Sequence, residues 1–385
     1  MSGFYIHVPY CRQACTYCDF HFSTVQKTRE EVLPAMRTEM AYWLSQTNTP
    51  LVFDSFYLGG GTPSLLTFHE LEGLFASFHQ KATWRSGAEV TLEVNPEDVN
   101  RESLAFWKSL GINRFSMGVQ TFNDDDLKAL NRAHTGSQAL RALREAQDSG
   151  FSNVSIDVMY GLPFGHWEDT LQKALDLSIP HFSAYALTVE PKTALYKGVK
   201  TGAIVLPPDE AVAAQATALR RAARAAGFRP YEISNFAQPG HEAVHNSNYW
   251  KGKEYVGIGP GAHAYDGKFL RRANVPNNSV YAKAWNTQEG EGAYVFDALL
   301  PEEAFNEWLM IRLRTADGLV WDEVPEELLP LAEVQKTRME ECLESREKRG
   351  QAKPLPHQKG WTLTDEGWLW ADQIAVELFV DLPEN

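Results

Sequence analysis

Three of the four cysteines in this 385-residue sequence fall within eight positions, Cys11-Arg12-Gln13-Ala14-Cys15-Thr16-Tyr17-Cys18, directly after the apolar run Phe4-Tyr5-Ile6-His7-Val8. Only Cys342 stands elsewhere. A disulfide framework spreads an even number of cysteines through a small secreted domain, so clustered thiols in a long chain argue against one. A thioredoxin-type pair could be drawn on Cys15 and Cys18, but it leaves Cys11 without a role and lacks the usual strand-to-helix context. Two metal readings remain. Cys11, Cys15, Cys18 and His21 could close a zinc site, or the three thiolates could hold an iron-sulfur cluster. With three protein ligands, one iron of a four-iron cluster stays open to a substrate or cofactor, which makes the site reactive instead of structural. Spacing alone favours the cluster by a small margin.

The elements that must carry this loop show a repeating rhythm. Arg29 to Leu44 has apolar residues at Val32, Met36, Met40 and Trp43, a helical period. Ser55-Phe56-Tyr57-Leu58 reads as a buried strand running into Gly59-Gly60-Gly61-Thr62-Pro63, where glycine lets backbone approach a ligand closely, although such a turn taken alone is simply a tight loop. Glu89–Val94, Arg114–Val119, 153–162 and 181–189 read as further strands. Helical patterns separate them, through Leu104, Trp107 and Leu110, from Ser137 to Gln147, and from Thr170 to Leu177. Strands alternating with helices at these intervals predict parallel β-α units. The count is six strands, beginning near residues 4, 55, 89, 114, 153 and 181. Eight would close a barrel, so the expected fold is α/β, an open partial (β/α)6 TIM-like barrel with its site at the strand C-terminal ends. Glu93, Gln120 and Asp157 lie at or near such ends, with Arg132 just beyond Gln120. Any one of them alone reads equally well as a surface group or a barrel-mouth salt bridge.

The run Tyr5-Ile6-His7-Val8-Pro9-Tyr10 followed by C-x3-C-x2-C resembles the opening of radical S-adenosylmethionine (radical SAM) proteins. Within them it is similar to the branch of oxygen-independent coproporphyrinogen III oxidase, and more narrowly to the heme chaperones of that branch. The resemblance spans essentially the whole chain and implies a 4Fe-4S cluster on Cys11, Cys15 and Cys18. In such proteins the amino and carboxylate groups of SAM chelate the open iron, and an electron from the reduced cluster splits the sulfonium to give a 5′-deoxyadenosyl radical. It also implies that Gly60, Gly61 and Thr62 receive the SAM amino group. Glu93, Gln120, Arg132 and Asp157 would hold the rest of SAM, with Arg132 toward its carboxylate and Gln120 or Asp157 toward the ribose hydroxyls. Tyr5, Tyr17 and Tyr185-Ala186 would wall the pocket.

Further along, an alanine-rich helix from Asp209 to Ala226 precedes His245-Asn246-Ser247-Asn248-Tyr249-Trp250, an H-N-x-x-Y-W run resembling a signature that the heme chaperones associate with heme. The chemistry is compatible, since imidazole can ligate heme iron and Tyr249 and Trp250 offer flat apolar surface to a macrocycle. A lone histidine in this setting would otherwise be a packed loop residue. Gly257-Ile258-Gly259-Pro260-Gly261-Ala262-His263 is a second glycine-rich turn that matches the family. Beyond residue 290 the β-α rhythm stops. Helices at 302–313 and 331–348, a short strand at 361–364 and a helical end resemble the family's small, mostly helical, winged-helix-like domain. The expected division is therefore 1–235 for the barrel, 236–290 for a connecting segment and 291–385 for the C-terminal domain. Cys342, on the charged helix, reads as a half-buried structural cysteine.

Apolar residues make up 44% of the chain, enough for a substantial core, yet no run reaches the ~20 residues of a membrane span. The net charge of −14 disfavours sequence-independent nucleic-acid binding, which relies on Lys and Arg at phosphates. No cationic and apolar leader opens the sequence, so a cytoplasmic location is expected. The decarboxylating oxidase of the branch carries a fourth nearby cysteine and an N-terminal extension; here Asp19-Phe20 follow Cys18 and four residues precede Tyr5. The reading is thus a heme chaperone with cluster, SAM and heme, an electron donor, and a heme-acceptor protein, membrane-associated acceptors included. The alternatives are coproporphyrinogen III oxidation in anaerobic heme synthesis and, third, radical SAM heme degradation.

Overall fold

The computed structural model describes residues 2–46, 49–287 and 289–382. Six strands, β1 (Gly3–Val8), β2 (Leu51–Gly60), β3 (Ala82–Val94), β4 (Arg114–Gln120), β5 (Asn153–Tyr160) and β6 (His181–Ala186), pair in sequence order and all in parallel. Helices Arg29–Leu44, Phe68–His79, Arg101–Ser109, Gly136–Asp148 and Trp167–Asp176 fill the crossovers. This is the open (β/α)6 arrangement expected, and it is an open sheet, not a closed barrel.

Strand alternation sorts the side chains into two sets. Phe4, Ile6, Val8, Phe56, Leu58, Val90, Leu92, Phe115, Met117, Ile156, Val158 and Phe182 join helix residues such as Met36, Leu71, Leu104 and Leu143 in one buried apolar core. Phe4, Phe53, Phe56 and Phe78 form its aromatic centre, with Phe56 and Phe78 centroids 4.8 Å apart. The intervening positions are polar: Ser55 and Tyr57, Glu89 and Glu93, Arg114 and Ser116, Ser155 and Asp157, His181 and Ser183. Barrel interiors are usually filled with branched apolar side chains, so this concave face is one that holds chemistry. Glu89 and Arg114, both buried, face each other at 3.6 Å, as buried charges must.

The sheet continues past both ends of the six strands. Beyond β6 lie β7 (Arg229–Pro230) and β8 (Asn235–Ala237), antiparallel; beyond β1 lies β9 (Tyr255–Ile258), parallel, followed by antiparallel β10 (His263–Tyr265), β11 (Leu270–Asn274) and β12 (Tyr294–Ala298). The stretch read as a connecting segment thus supplies edge strands to one sheet, twelve strands in all among the described residues. Glu39, wholly buried in the first helix, ties it down: its carboxylate accepts from Gly259 N at 2.8 Å, Asn274 Nδ2 at 2.7 Å and the Tyr281 hydroxyl, with Arg272 Nη1 at 3.3 Å.

A second core, with Phe305, Leu309, Leu313, Met339, Leu343, Ile374 and Leu378, belongs to the C-terminal domain. Helices Pro301–Leu313, Leu329–Lys348 and Ala371–Leu378 pack with a small antiparallel sheet of β13 (Leu319–Val320), β14 (Ala352–Pro354) and β15 (Gly360–Leu363), ordered β13-β15-β14. Cys342 packs half-buried at the edge of this core.

Candidate functional site

The cysteine loop leaves β1 and is pinned from several sides. Thr16 N donates to Leu130 O at 3.1 Å, Gln13 Nε2 to Asn131 O at 2.7 Å, and Asn131 Nδ2 to Ala14 O at 2.6 Å. Asn131 itself adopts φ of 56°, a left-handed conformation that asparagine tolerates better than most residues. Thr62 Oγ1 lies 3.6 Å from Cys11 Sγ and Arg132 Nη1 lies 3.3 Å from Cys15 Sγ. His21, the fourth ligand a zinc site would need, instead bonds Asn278 Oδ1 through Nε2 at 2.7 Å. Among the described residues no three His, Cys, Asp or Glu side chains converge on a single-ion site. Burial raises the Cys11 thiol to about 11 and raises Cys18 as well. The nearby Arg132 acts against this rise, and a bound metal would favour the thiolates further.

All three cysteines open onto one cavity of about 490 Å³, at the strand ends. Tyr17, Gly60, Gly61, Thr62, Glu93, Gln120, Arg132, Asp157 and Ala186 line it with them. Gly60 needs its φ of 110°, and at Gly61 a Cβ would come within 2.6 Å of Tyr10 O, so neither position accepts a side chain. Glu93 accepts from Tyr57 OH at 2.8 Å and Gly60 N at 3.1 Å; burial, reinforced by the nearby Asp157, carries its pKa up to about 7. Asp157, raised by burial, accepts from Ser116 Oγ at 3.1 Å. Gln120 follows a break in the β4–β5 register with φ of 62°. Its Oε1 and the Arg132 Nε are buried without partners. A left-handed non-glycine backbone and unpaired buried polar atoms, both in residues that line one cavity, are marks of a ligand site. The other edge of Arg132 is already held, Nη2 donating to Asn95 Oδ1 at 2.8 Å and Gly118 O at 2.9 Å.

Tyr5 lies apart from this wall, deeper in the concave face, its hydroxyl 3.0 Å from His7 Nδ1. Asn95, Ser116 and Met159, absent from the expected set, do line the cavity. Ser116 could have been found from its two-residue spacing between Arg114 and Gly118, and Asn95 from its place at a strand end before Pro96.

The H-N-x-x-Y-W run forms helix Val244–Trp250. His245, Tyr249 and Trp250 do not join the cysteine cavity. Tyr249 and Trp250 line a second cavity of about 960 Å³ between the sheet and the C-terminal domain, faced by Tyr255, Tyr265, Phe269 and Trp308. His245 is buried, its Nδ1 2.9 Å from Ser55 Oγ and its Nε2 2.7 Å from Tyr249 OH. Burial lowers its pKa to about 3, with Arg114 adding to the effect. Tyr185 borders both cavities.

A family model for the Radical SAM superfamily matches residues 5–174, the part that carries the cysteine loop and the first five strands. Heme chaperone HemW of Bacillus subtilis (strain 168) is 38% identical over 272 residues, covering 69% of this chain and 72% of that protein. HemW of Mycobacterium tuberculosis (strain ATCC 25618 / H37Rv) is 36% identical over 327 residues, 82% of each. The chain belongs to the HemW family. Escherichia coli (strain K12) HemW is 35% identical over 280 residues, covering 69% of this chain and 72% of that protein. Among solved structures, coproporphyrinogen III oxidase (HemN) from Escherichia coli, described as a radical SAM enzyme, superposes with a TM-score of 0.83 over 98% of this HemW-family chain and 90% of its own. At 20% sequence identity that likeness speaks for the fold. Among the described residues no helix is long and apolar enough to cross a membrane.

Proposed function

We propose that this HemW-family protein is a heme chaperone: it holds a 4Fe-4S cluster on Cys11, Cys15 and Cys18, binds SAM in the same cavity, and carries heme on the Tyr249–Trp250 face for delivery to an acceptor protein. The observation that carries the reading is the convergence of three thiols with a polar, glycine-cradled cavity in a chain of this family. The residues fit both groups. Backbone bared at Gly60 and Gly61 admits the amino-acid end of SAM, and the positive charge of Arg132 in the cavity wall suits a carboxylate. Gln120 and Asp157, both in the cavity wall, carry the amide and carboxylate groups that suit ribose hydroxyls. When bound, the cluster supplies one-electron chemistry at the sulfonium. The chain's own part would be to hold and orient SAM beside the cysteine loop, in a cavity partly walled by Tyr17, Val94 and Met159.

The fold shared with the oxidase keeps coproporphyrinogen III oxidation as the competing reading. Phe20, 70% exposed at the cavity mouth, stands where the oxidase pattern has a further cysteine, which favours the chaperone. Anaerobic reconstitution, metal and sulfide analysis, and titration with hemin and with coproporphyrinogen III test the proposal. Expected are iron and sulfide without zinc, saturable hemin binding, and no protoporphyrinogen IX on addition of SAM and reductant. Multiple-turnover formation of protoporphyrinogen IX would restore the oxidase. Cytoplasmic location, the electron donor and an acceptor protein belong to the same proposal, and capture of hemin from the loaded protein by an apo-cytochrome tests the transfer step.

A further inference from the structure

Helix Val244–Trp250 is fastened to the concave face of the sheet at its start. Val244 N and His245 N each donate to the Glu89 carboxylate at 2.9 Å, and Glu89 is held in turn by Arg114. From this anchor the His245 side chain enters the interior between β1 and β2. One ring nitrogen meets Ser55 Oγ and the other meets Tyr249 OH. The imidazole lies against the Tyr57 ring with centroids 5.0 Å apart and an interplanar angle of 25°. Tyr57 in turn donates to Glu93 on the wall of the cysteine cavity. Tyr249 packs edge-on against Tyr255, centroids 4.6 Å apart, and both line the interdomain cavity. A single buried ring therefore touches the wall of the interdomain cavity directly, at Tyr249, and that of the cysteine cavity through Tyr57.

To ligate iron, an imidazole must present a free nitrogen lone pair at an open edge. Here one nitrogen donates and the other accepts, both to protein hydroxyls, and freeing Nε2 would strip a buried tyrosine hydroxyl of its partner. Nor is there an open edge. A Cβ placed on Gly3 would lie 3.2 Å from His245 Cε1, so the ring sits hard against the β1 backbone, with Tyr57 on its face and Tyr249 at its Nε2 end.

We propose that His245 is a positioning residue for both cavities and not a ligand of heme iron: it sets Tyr249 toward the interdomain cavity and Tyr57, with Glu93, toward the cysteine cavity. The inference rests on the reading of the two cavities as SAM and heme sites. It assigns supporting roles to Ser55 and Glu89, which no motif marks.

The test uses the full chain, anaerobically reconstituted, as parent, His245→Gln, Ser55→Ala and Tyr249→Phe. Hemin affinity should fall roughly tenfold in each variant, the scale of one buried hydrogen bond. The absorption and electron paramagnetic resonance spectra of the bound ferric heme should stay those of the parent, a readout that loss of an iron ligand would change. SAM affinity, read without heme from the shift it causes in the cluster resonance, should fall in His245→Gln and Ser55→Ala and less in Tyr249→Phe. A changed axial-ligand spectrum in His245→Gln, with Ser55→Ala binding hemin as the parent does, would make His245 the ligand and overturn the proposal. Parental SAM affinity in both His245→Gln and Ser55→Ala would overturn the joint role. If His245→Gln does not fold, His245→Asn takes its place in the spectral comparison, and Ser55→Ala and Tyr249→Phe carry the affinity comparisons. A parent that bound neither hemin nor SAM would overturn the functional reading and this inference with it, whereas a parent that binds both isolates the inference.

Discussion

The cysteine cavity is walled by residues that alternate along long parallel strands, from Glu93 on β3 to Asp157 on β5, whereas the interdomain cavity is assembled from a short helix, strands of three to five residues and the face of a separate domain. The first has a left-handed backbone at Gln120; the second mixes aromatic rings with many charged side chains, among them Lys268, Arg271 and Arg312, paired with Glu327, Glu307 and Glu323. Both hold buried polar atoms without partners, Gln120 Oε1 and Arg132 Nε in the first and Arg271 Nε and Arg312 Nε in the second. A site for chemistry on a small charged cofactor needs fixed polar groups. A site for a flat macrocycle with anionic side chains is served by aromatic surface with cations close by. The contrast is what a carrier with a cofactor site would show, and each side can be perturbed separately.

The largest effect is expected at the thiols. Cys11→Ser, Cys15→Ser or Cys18→Ser should lose nearly all reconstituted iron and sulfide, measured by elemental analysis. Next comes the cradle. Gly61→Ala pushes a methyl group toward Tyr10 O and should destabilise the fold by about 1–3 kcal/mol in denaturant unfolding, with reduced cluster retention. On the other side, Trp250→Ala should weaken hemin binding roughly tenfold or more while leaving iron content at the parental level. A Trp250 variant that lost its iron would break the comparison, because the two cavities would then not be separable.

Protonation sharpens the same contrast with opposite signs. Glu93 has an ordinary value of 4.5 and about 7 in the folded chain, so its contribution to stability is present below about pH 4.5 and is lost as pH rises toward 7. Glu93→Gln should therefore gain thermal stability over the parent, by an amount that widens from pH 5 to pH 8 and reaches on the order of 3 kcal/mol in the cofactor-free chain. His245, ordinary value 6.5 and about 3 when folded, contributes stability above pH 6.5 that is lost as pH falls toward 3. Acid should thus loosen the His245 side first and mild base the Glu93 side, which tyrosine-specific spectroscopy of Tyr249→Phe and Tyr57→Phe can separate. The smallest effect is expected for Cys342→Ala, which should keep full cluster content and cost less than about 1 kcal/mol, since the side chain is only half-buried at the edge of the C-terminal core.

Much of this was readable without coordinates. The cysteine spacing, the six strands and the period-two placement of Glu93 and Asp157 at their ends are local patterns, and long strands with one face under helices print that period into the sequence. The edges of the sheet were not legible: β7 to β12 run two to five residues, too short for alternation to register. Nor was it legible that His21, a fourth zinc ligand on paper, bonds Asn278, a partner 257 residues away. The sequence could mark His245 as unusual but not say what it does, since its two nitrogen partners are Ser55, 190 residues distant, and Tyr249, one helical turn on. What the sequence determined by itself is therefore the chemistry on offer and the scaffold that repeats, because both are written in short-range spacing. What only the tertiary structure decided is which polar groups remain unpaired, which cavity each side chain faces, and that one buried imidazole stands between the two, because those follow from packing among segments far apart in the chain.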